Sequence, residues 1–174
     1  MKNSKTIKRK TKKINLRYLP KALTKKDREK QSRSLRKSRK LYKKGVYYTR
    51  PIVKSYKSKT SNHILNARKI YGVKNVGATS ELSKKTGCSR KALKKIINKG
   101  AGAYFSSGSR PNQTGQSWGI ARLASAITSG KAAAVDYKIL EEGCKPDSKA
   151  LKLAKKARKK HGYGTRKVPK VSFD

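Results

Sequence analysis

Between Thr79 and Asn98 the chain reads TSELSKKTGCSRKALKKIIN, and its cations are spaced to meet a phosphate backbone. Ser89 is placed to cap a helix on which Ala92, Leu93, Ile96 and Ile97 share one side. That leaves Arg90, Lys91, Lys94 and Lys95 on the other. Upstream, Thr79 opens a shorter helix with Leu82 as its apolar anchor and Ser83 as the small residue at the crossing. Gly87 supplies the turn, where a left-handed backbone costs least, and Cys88 packs behind it. The spacing is similar to helix-turn-helix segments of the repressor type, whose second helix sets its first side chains against base edges and its Lys and Arg against phosphates. The outward set holds no Asn or Gln, so Arg90 and Ser89 are its base readers. Such a set favours backbone-dominated, sequence-tolerant binding. A plain helical hairpin in the core is the other use of the same pattern.

Two further stretches offer polyanion contacts. AYFSSGSRPNQTGQSW (103–118) reads as a loop following a helix that Gly100 and Gly102 end. Its backbone N–H groups and Arg110 would cradle a phosphate. The competing reading is a loop that satisfies itself, anchored by Tyr104 and Phe105. No GKS or GKT follows a glycine-rich turn, so it is not a P-loop. Near the start, Thr24 and Asp27 resemble a capping box, and TKKDREKQSRSLRKSRKLYKKG runs as a helix to Gly45. Leu35, Leu41 and Tyr42 are its only large apolar groups, so this helix bridges, docks or frays. Arg33, Arg36, Arg39 and Lys40 lie among cations facing every direction, which suits a groove walled by negative charge.

Reactive chemistry is thinly provided. Eight carboxylates, several at helix caps, and two isolated histidines form no acid/base pair, triad or metal cluster. The expectation is a non-enzymatic protein with no cofactor. Cys88 and Cys144 read first as small buried apolar groups, with a disulfide as the alternative. A zinc site would need Cys88, Cys144, His63 and His161 to converge without CxxC or HxxxH spacing, and is set aside.

The elements that position these groups follow from periodicity. Residues 1–60 read as a basic arm through about residue 22, the polar helix, and an extended connector GVYYTRPIVKSYKSKTS, where Pro51 argues against a central strand. Its Tyr47, Tyr48 and Tyr56, interleaved with cations, would stack on bases or simply pack. Residues 61–144 read as the helical core: Ser61 caps HILNARKIY, the 79–98 segment follows, and Gln116 to Ser129 forms a helix with Trp118, Ala121, Ala124 and Ser125 on one face. Asp136 caps YKILEEG. Residues 145–174 hold a basic helix capped by Asp147 and a tail. The fold class is mainly α: a small helical domain flanked by a long basic N-terminal arm and helix and a basic C-terminal helix.

Lys and Arg number 49 against 8 Asp and Glu, a net charge of +41. Such a particle repels itself unless screened or met by a polyanion. Double-stranded DNA leads the partners, with acidic capsid surfaces and peripheral contact with an anionic membrane behind it. No apolar run is long enough to span a bilayer, and the N-terminus lacks a secretory h-region.

Several strings carry a resemblance. LTKKDREKQ, HILNARKIYGV and TGCSRKALKKI…KGAGAYFSSGSRPNQTGQSWGIARLASAITSGKAAAVDYKILEEGC resemble an uncharacterised protein family of large nucleocytoplasmic DNA viruses infecting algae and amoebae. The match runs from about Tyr18 to about Lys160. It implies a late, virion-associated product, present in the host cytoplasm or nucleus during assembly, and carries no catalytic residues. The expected function is a virion protein that binds polyanions, most simply packaged DNA. The alternative is a minor capsid (cement) protein whose basic arms bind capsid proteins or the internal membrane.

Overall fold

The computed structural model describes residues 13–164 and 168–172. Among these residues the fold is mainly helical, with eight α-helices and one two-stranded sheet. The basic run KRKTKK (8–13), readable also as a nuclear address, lies outside the described residues apart from Lys13.

The body is built from α2 (Asn62–Tyr71), α3 (Ser80–Thr86), α4 (Arg90–Ser106), α5 (Gly115–Ile127), α6 (Lys131–Val135), α7 (Tyr137–Gly143) and α8 (Lys149–His161). Ala67, Tyr71, Leu82, Leu93, Ile96, Leu123, Ile127, Leu140, Leu151, Ala154 and Ala157 meet in one apolar cluster. Side-chain caps start several helices: Ser61 for α2, Thr79 for α3, Ser89 for α4, and Thr114 with Ser117 as a reciprocal box for α5. Gly87, with φ of 73°, ends α3 in the left-handed conformation its sequence position suggested.

Helix α4 differs from the sequence expectation by running through Gly100 and Gly102 to Ser106. These glycines do not stop the helix, because tertiary packing overrides their low propensity. A Cβ on Gly100 would sit 2.6 Å from the Cα of Gly119, and one on Gly119 would sit 2.5 Å from the Ile97 carbonyl oxygen. The backbones of α4 and α5 therefore touch, and only glycine fits at the crossing. Tyr104, expected beneath a loop, is instead a fully buried residue of the helix.

Two expected caps are also corrected. The side chain of Asp136 makes no cap to α7, and α8 is capped by Ser148 through the Leu151 N–H rather than by Asp147. A hydroxyl one residue on reaches the free N–H better, and Asp136 is engaged elsewhere.

Residues 13–22, read from the sequence as part of the basic arm, are folded. β1 (Lys13–Asn15) pairs antiparallel with β2 (Lys170–Ser172), and a single 3-10 turn follows over Leu16–Tyr18. Ile14, Tyr18 and Leu19 bury with Leu35 in a second apolar cluster against Trp118 and Val171. Burying these four large side chains outweighs the surrounding cations.

Helix α1 (Lys25–Tyr42) docks on the body through a narrow stripe of Gln31, Ser32, Ser34, Leu35 and Ser38. Small polar residues let it approach closely. Gln31 Nε2 donates to the Tyr18 carbonyl at 3.2 Å, and Ser38 Oγ to that of Phe105 at 3.1 Å. The cap at its start is not a reciprocal box. Thr24 accepts from the Asp27 N–H, but the Asp27 carboxylate accepts from the Ser55 N–H at 2.7 Å and so ties down the connector.

The cysteines are buried as expected, but bonded to each other. The Cys88–Cys144 disulfide closes a 56-residue separation. Backbone bonds from Ser89 N to Gly143 O and from Lys145 N to Gly87 O flank it. Singleton cysteines far apart in sequence carry no local sign of pairing; the antiparallel approach of 87–89 to 143–145 brings them together.

Candidate nucleic-acid interface

Along α4 the buried positions are Ala92, Leu93, Ile96, Ile97, Gly100 and Tyr104, so the helix turns its remaining side chains outward. Lys91, Lys94, Lys95, Asn98 and Lys99 form one wall of an open groove of about 710 Å³, and Tyr42 at the end of α1 faces them. Among the described residues no carboxylate lines this groove. Of these lysines, Lys99 alone meets a counter-ion among the described residues: its Nζ lies 2.7 Å from Asp136 Oδ1, while the Arg122 Nε donates to Oδ2 at 2.7 Å. Asp136 is fully buried. It sits behind the wall, where it joins α4, α5 and the α6–α7 corner and offsets two of the local cations.

The other sequence-derived residues scatter. Ser89 is exposed and spends its hydroxyl on the Ala92 N–H at 3.2 Å. Arg90 is exposed too, but its Nε donates back to the Ala78 carbonyl at 3.1 Å, which holds the guanidinium against the loop before α3. Neither residue lines the groove. On α1, Arg33 pairs with Glu29 at 3.6 Å across one helical turn, and Arg36 and Lys40 are exposed. Arg39 is half-buried and both its Nε and Nη2 donate to the Ser107 carbonyl, with Nε at 2.9 Å. It fastens α1 to the end of α4.

Arg110 is exposed in the loop between α4 and α5, and that loop satisfies itself. Asn112, in the left-handed conformation, accepts from Val53 N at 2.8 Å and donates to the carbonyls of Val53 and Tyr56. Ser109 accepts from Arg50 Nη2 at 2.6 Å. Through Ser109 and Asn112 the loop thus clamps residues 50–58 of the connector.

Two groups escaped the sequence reading. Asn98 shares the groove wall one turn beyond Lys94, so the exposed set does contain an amide. Its place was legible in the helical period, four residues past Lys94. Arg50 is buried beneath the connector with no carboxylate partner among the described residues, its Nη1 donating to Ser38 Oγ and to the Tyr104 carbonyl. Burial pushes its pKa down, while the Tyr104 phenol acts in the other direction. Nothing local in YYTRPIV marks that arginine as an interior one.

Among the described residues no helix is long and apolar enough to cross a membrane. Residues 2–150 match the model of a family of unknown function (DUF5824). No curated protein and no solved structure matches.

Proposed function

Because the chain belongs to the DUF5824 family, whose description assigns no activity, we propose a function from its surface: non-enzymatic binding of polyanions, most simply DNA packaged in a virion. One observation carries this reading, the groove wall of Lys91, Lys94 and Lys95, which no carboxylate among the described residues lines. Lysines four and three residues apart on one rigid helix hold their charges at nearly fixed spacing. A phosphate chain entering the groove releases its condensed counter-ions, and that release drives association. The net charge of +41 adds long-range attraction and speeds encounter. The outer face of α8, with Lys152, Lys155, Lys156 and Lys159 exposed, supplies further diffuse contacts. The viral resemblance of the SSGSRPNQT region supports a packaged genome as the source of the phosphates.

Duplex DNA titrated over a range of salt tests this. The slope of log affinity against log salt should reach several units. A Lys91→Ala, Lys94→Ala, Lys95→Ala triple variant should lower that slope by about 3 and weaken binding well beyond a Lys152→Ala, Lys155→Ala, Lys156→Ala control. Equal losses would leave only diffuse charge, and no binding near physiological salt would remove the reading altogether.

A further inference from the structure

The groove has an aromatic end. Tyr42 lines it opposite the lysines, and the Tyr47 ring stands edge-on to that of Tyr42 with centroids 6.0 Å apart. Tyr47 also meets Phe105 at 5.2 Å, and Phe105 meets Tyr104 at 4.9 Å. A row of four rings therefore runs from the buried core out to the groove. Its most exposed member, Tyr47, adjoins the groove through Tyr42 and is 69% exposed, beside a half-exposed Val46. The backbone that carries it is not loose. Three residues on, Arg50 N donates to Tyr104 Oη at 2.9 Å, and Asn112 clamps Val53. A tyrosine held in water on a fixed backbone, supported by other rings and adjoining a lysine wall, is the arrangement of a stacking platform.

We infer that this groove takes unpaired nucleic acid, with a base stacked on the Tyr47–Tyr42 edge and the neighbouring phosphates on Lys91, Lys94 and Lys95. The inference rests on the polyanion reading above and narrows its ligand to a class. In a duplex, bases are already stacked on one another and offer a ring no face except at an end. A single strand presents a face at every nucleotide. Because every base has such a face, binding would tolerate sequence, in keeping with a wall made mostly of lysine.

Labelled twenty-residue oligothymidylate, an abasic strand of the same length and a duplex, each titrated with the full chain, form the test. The abasic strand keeps the phosphates and removes the bases. Oligothymidylate should bind more tightly than the abasic strand by about 5- to 150-fold, the range expected for one stacked base. Tyr47→Ser should remove that advantage while leaving the abasic strand and the duplex unchanged. This exposed residue can be replaced without disturbing the core, and an unchanged melting temperature checks it. Equal binding of the two strands, or an advantage that survives Tyr47→Ser, overturns the platform while leaving the polyanion reading intact. No binding of any of the three overturns both.

Discussion

The guanidinium of Arg50 lies 3.7 Å above the ring of Tyr104, and each residue holds the other twice more through the backbone. Tyr104 Oη accepts from Arg50 N at 2.9 Å, and the Tyr104 carbonyl accepts from Arg50 Nη1 at 2.8 Å. This clasp joins the connector to the last turns of α4, the helix that carries the groove lysines. With Ser38 and Ser109 completing its hydrogen bonds, Arg50 keeps its charge in the interior with no carboxylate among the described residues to pair it. Neutral acceptors and a ring face replace the missing counter-ion.

Arg50→Ala should therefore destabilise the fold by about 2–4 kcal/mol, since it strips a buried network of its donor. Arg50→Lys should recover little, because an ammonium cannot reach three acceptors and stack at once. Urea unfolding of both variants measures this. Near-wild-type stability for the lysine variant would show that charge alone suffices at this position.

Gly119→Ala should be more damaging than an alanine at an ordinary helical glycine. The new methyl would meet the Ile97 carbonyl, a backbone atom that cannot swing aside, so α4 and α5 must separate. A loss of about 1–3 kcal/mol follows from overpacking, against a gain of about 1 kcal/mol in helix propensity. A melting temperature at or above that of the parent chain would refute the close crossing.

Breaking the Cys88–Cys144 bond should cost up to about 4 kcal/mol by the chain-entropy account for a loop of this length. The flanking backbone pairs, Ser89 to Gly143 and Lys145 to Gly87, remain in a Cys88→Ser, Cys144→Ser variant, so its helix content should persist. Denaturant midpoints with and without reductant, compared with that variant, check the effect. A midpoint that reductant leaves unmoved would show that the bond is not formed in solution.

Acid should loosen the connector before it unfolds the body. The N–H of Ser55, then its hydroxyl, hold the Asp27 carboxyl below its ordinary 3.8. The contribution is complete above that value and is lost as pH falls below it, through the lowered folded pKa. Limited proteolysis of residues 46–58 should thus accelerate below about pH 3.8 in the parent chain. Asp27→Asn should be cut readily already at neutral pH, with little further change on acidification.

What the sequence disclosed was whatever depends on near neighbours. Thr79, Ser89 and Gly87 announce their roles because a cap or a left-handed turn involves residues only a few positions apart. The inward set Ala92, Leu93, Ile96 and Ile97 follows from helical period. Gly100 and Gly102 misled because the same residue type both ends helices and lets them touch. The partner that decides between these uses, Gly119, lies across a loop. Arg50, Asp136 and the cysteine pair were hidden for a related reason: their partners lie 12 to 59 positions away and carry no periodic signature. For the groove, the lysines were visible and the opposing ring of Tyr42 was not, since only the docking of α1 on α4 sets them face to face.

The pairing of β1 with β2 puts Lys13 directly opposite Ser172. Neighbouring strands are about 5 Å apart, a gap that two linking residues can bridge. Among the described residues the path therefore returns to its starting point, and a shortened chain of residues 13–172 can be joined there and cut elsewhere. New ends placed in the exposed stretch between Lys57 and Thr60 would separate α1 and its connector from the rest in sequence without separating them in space.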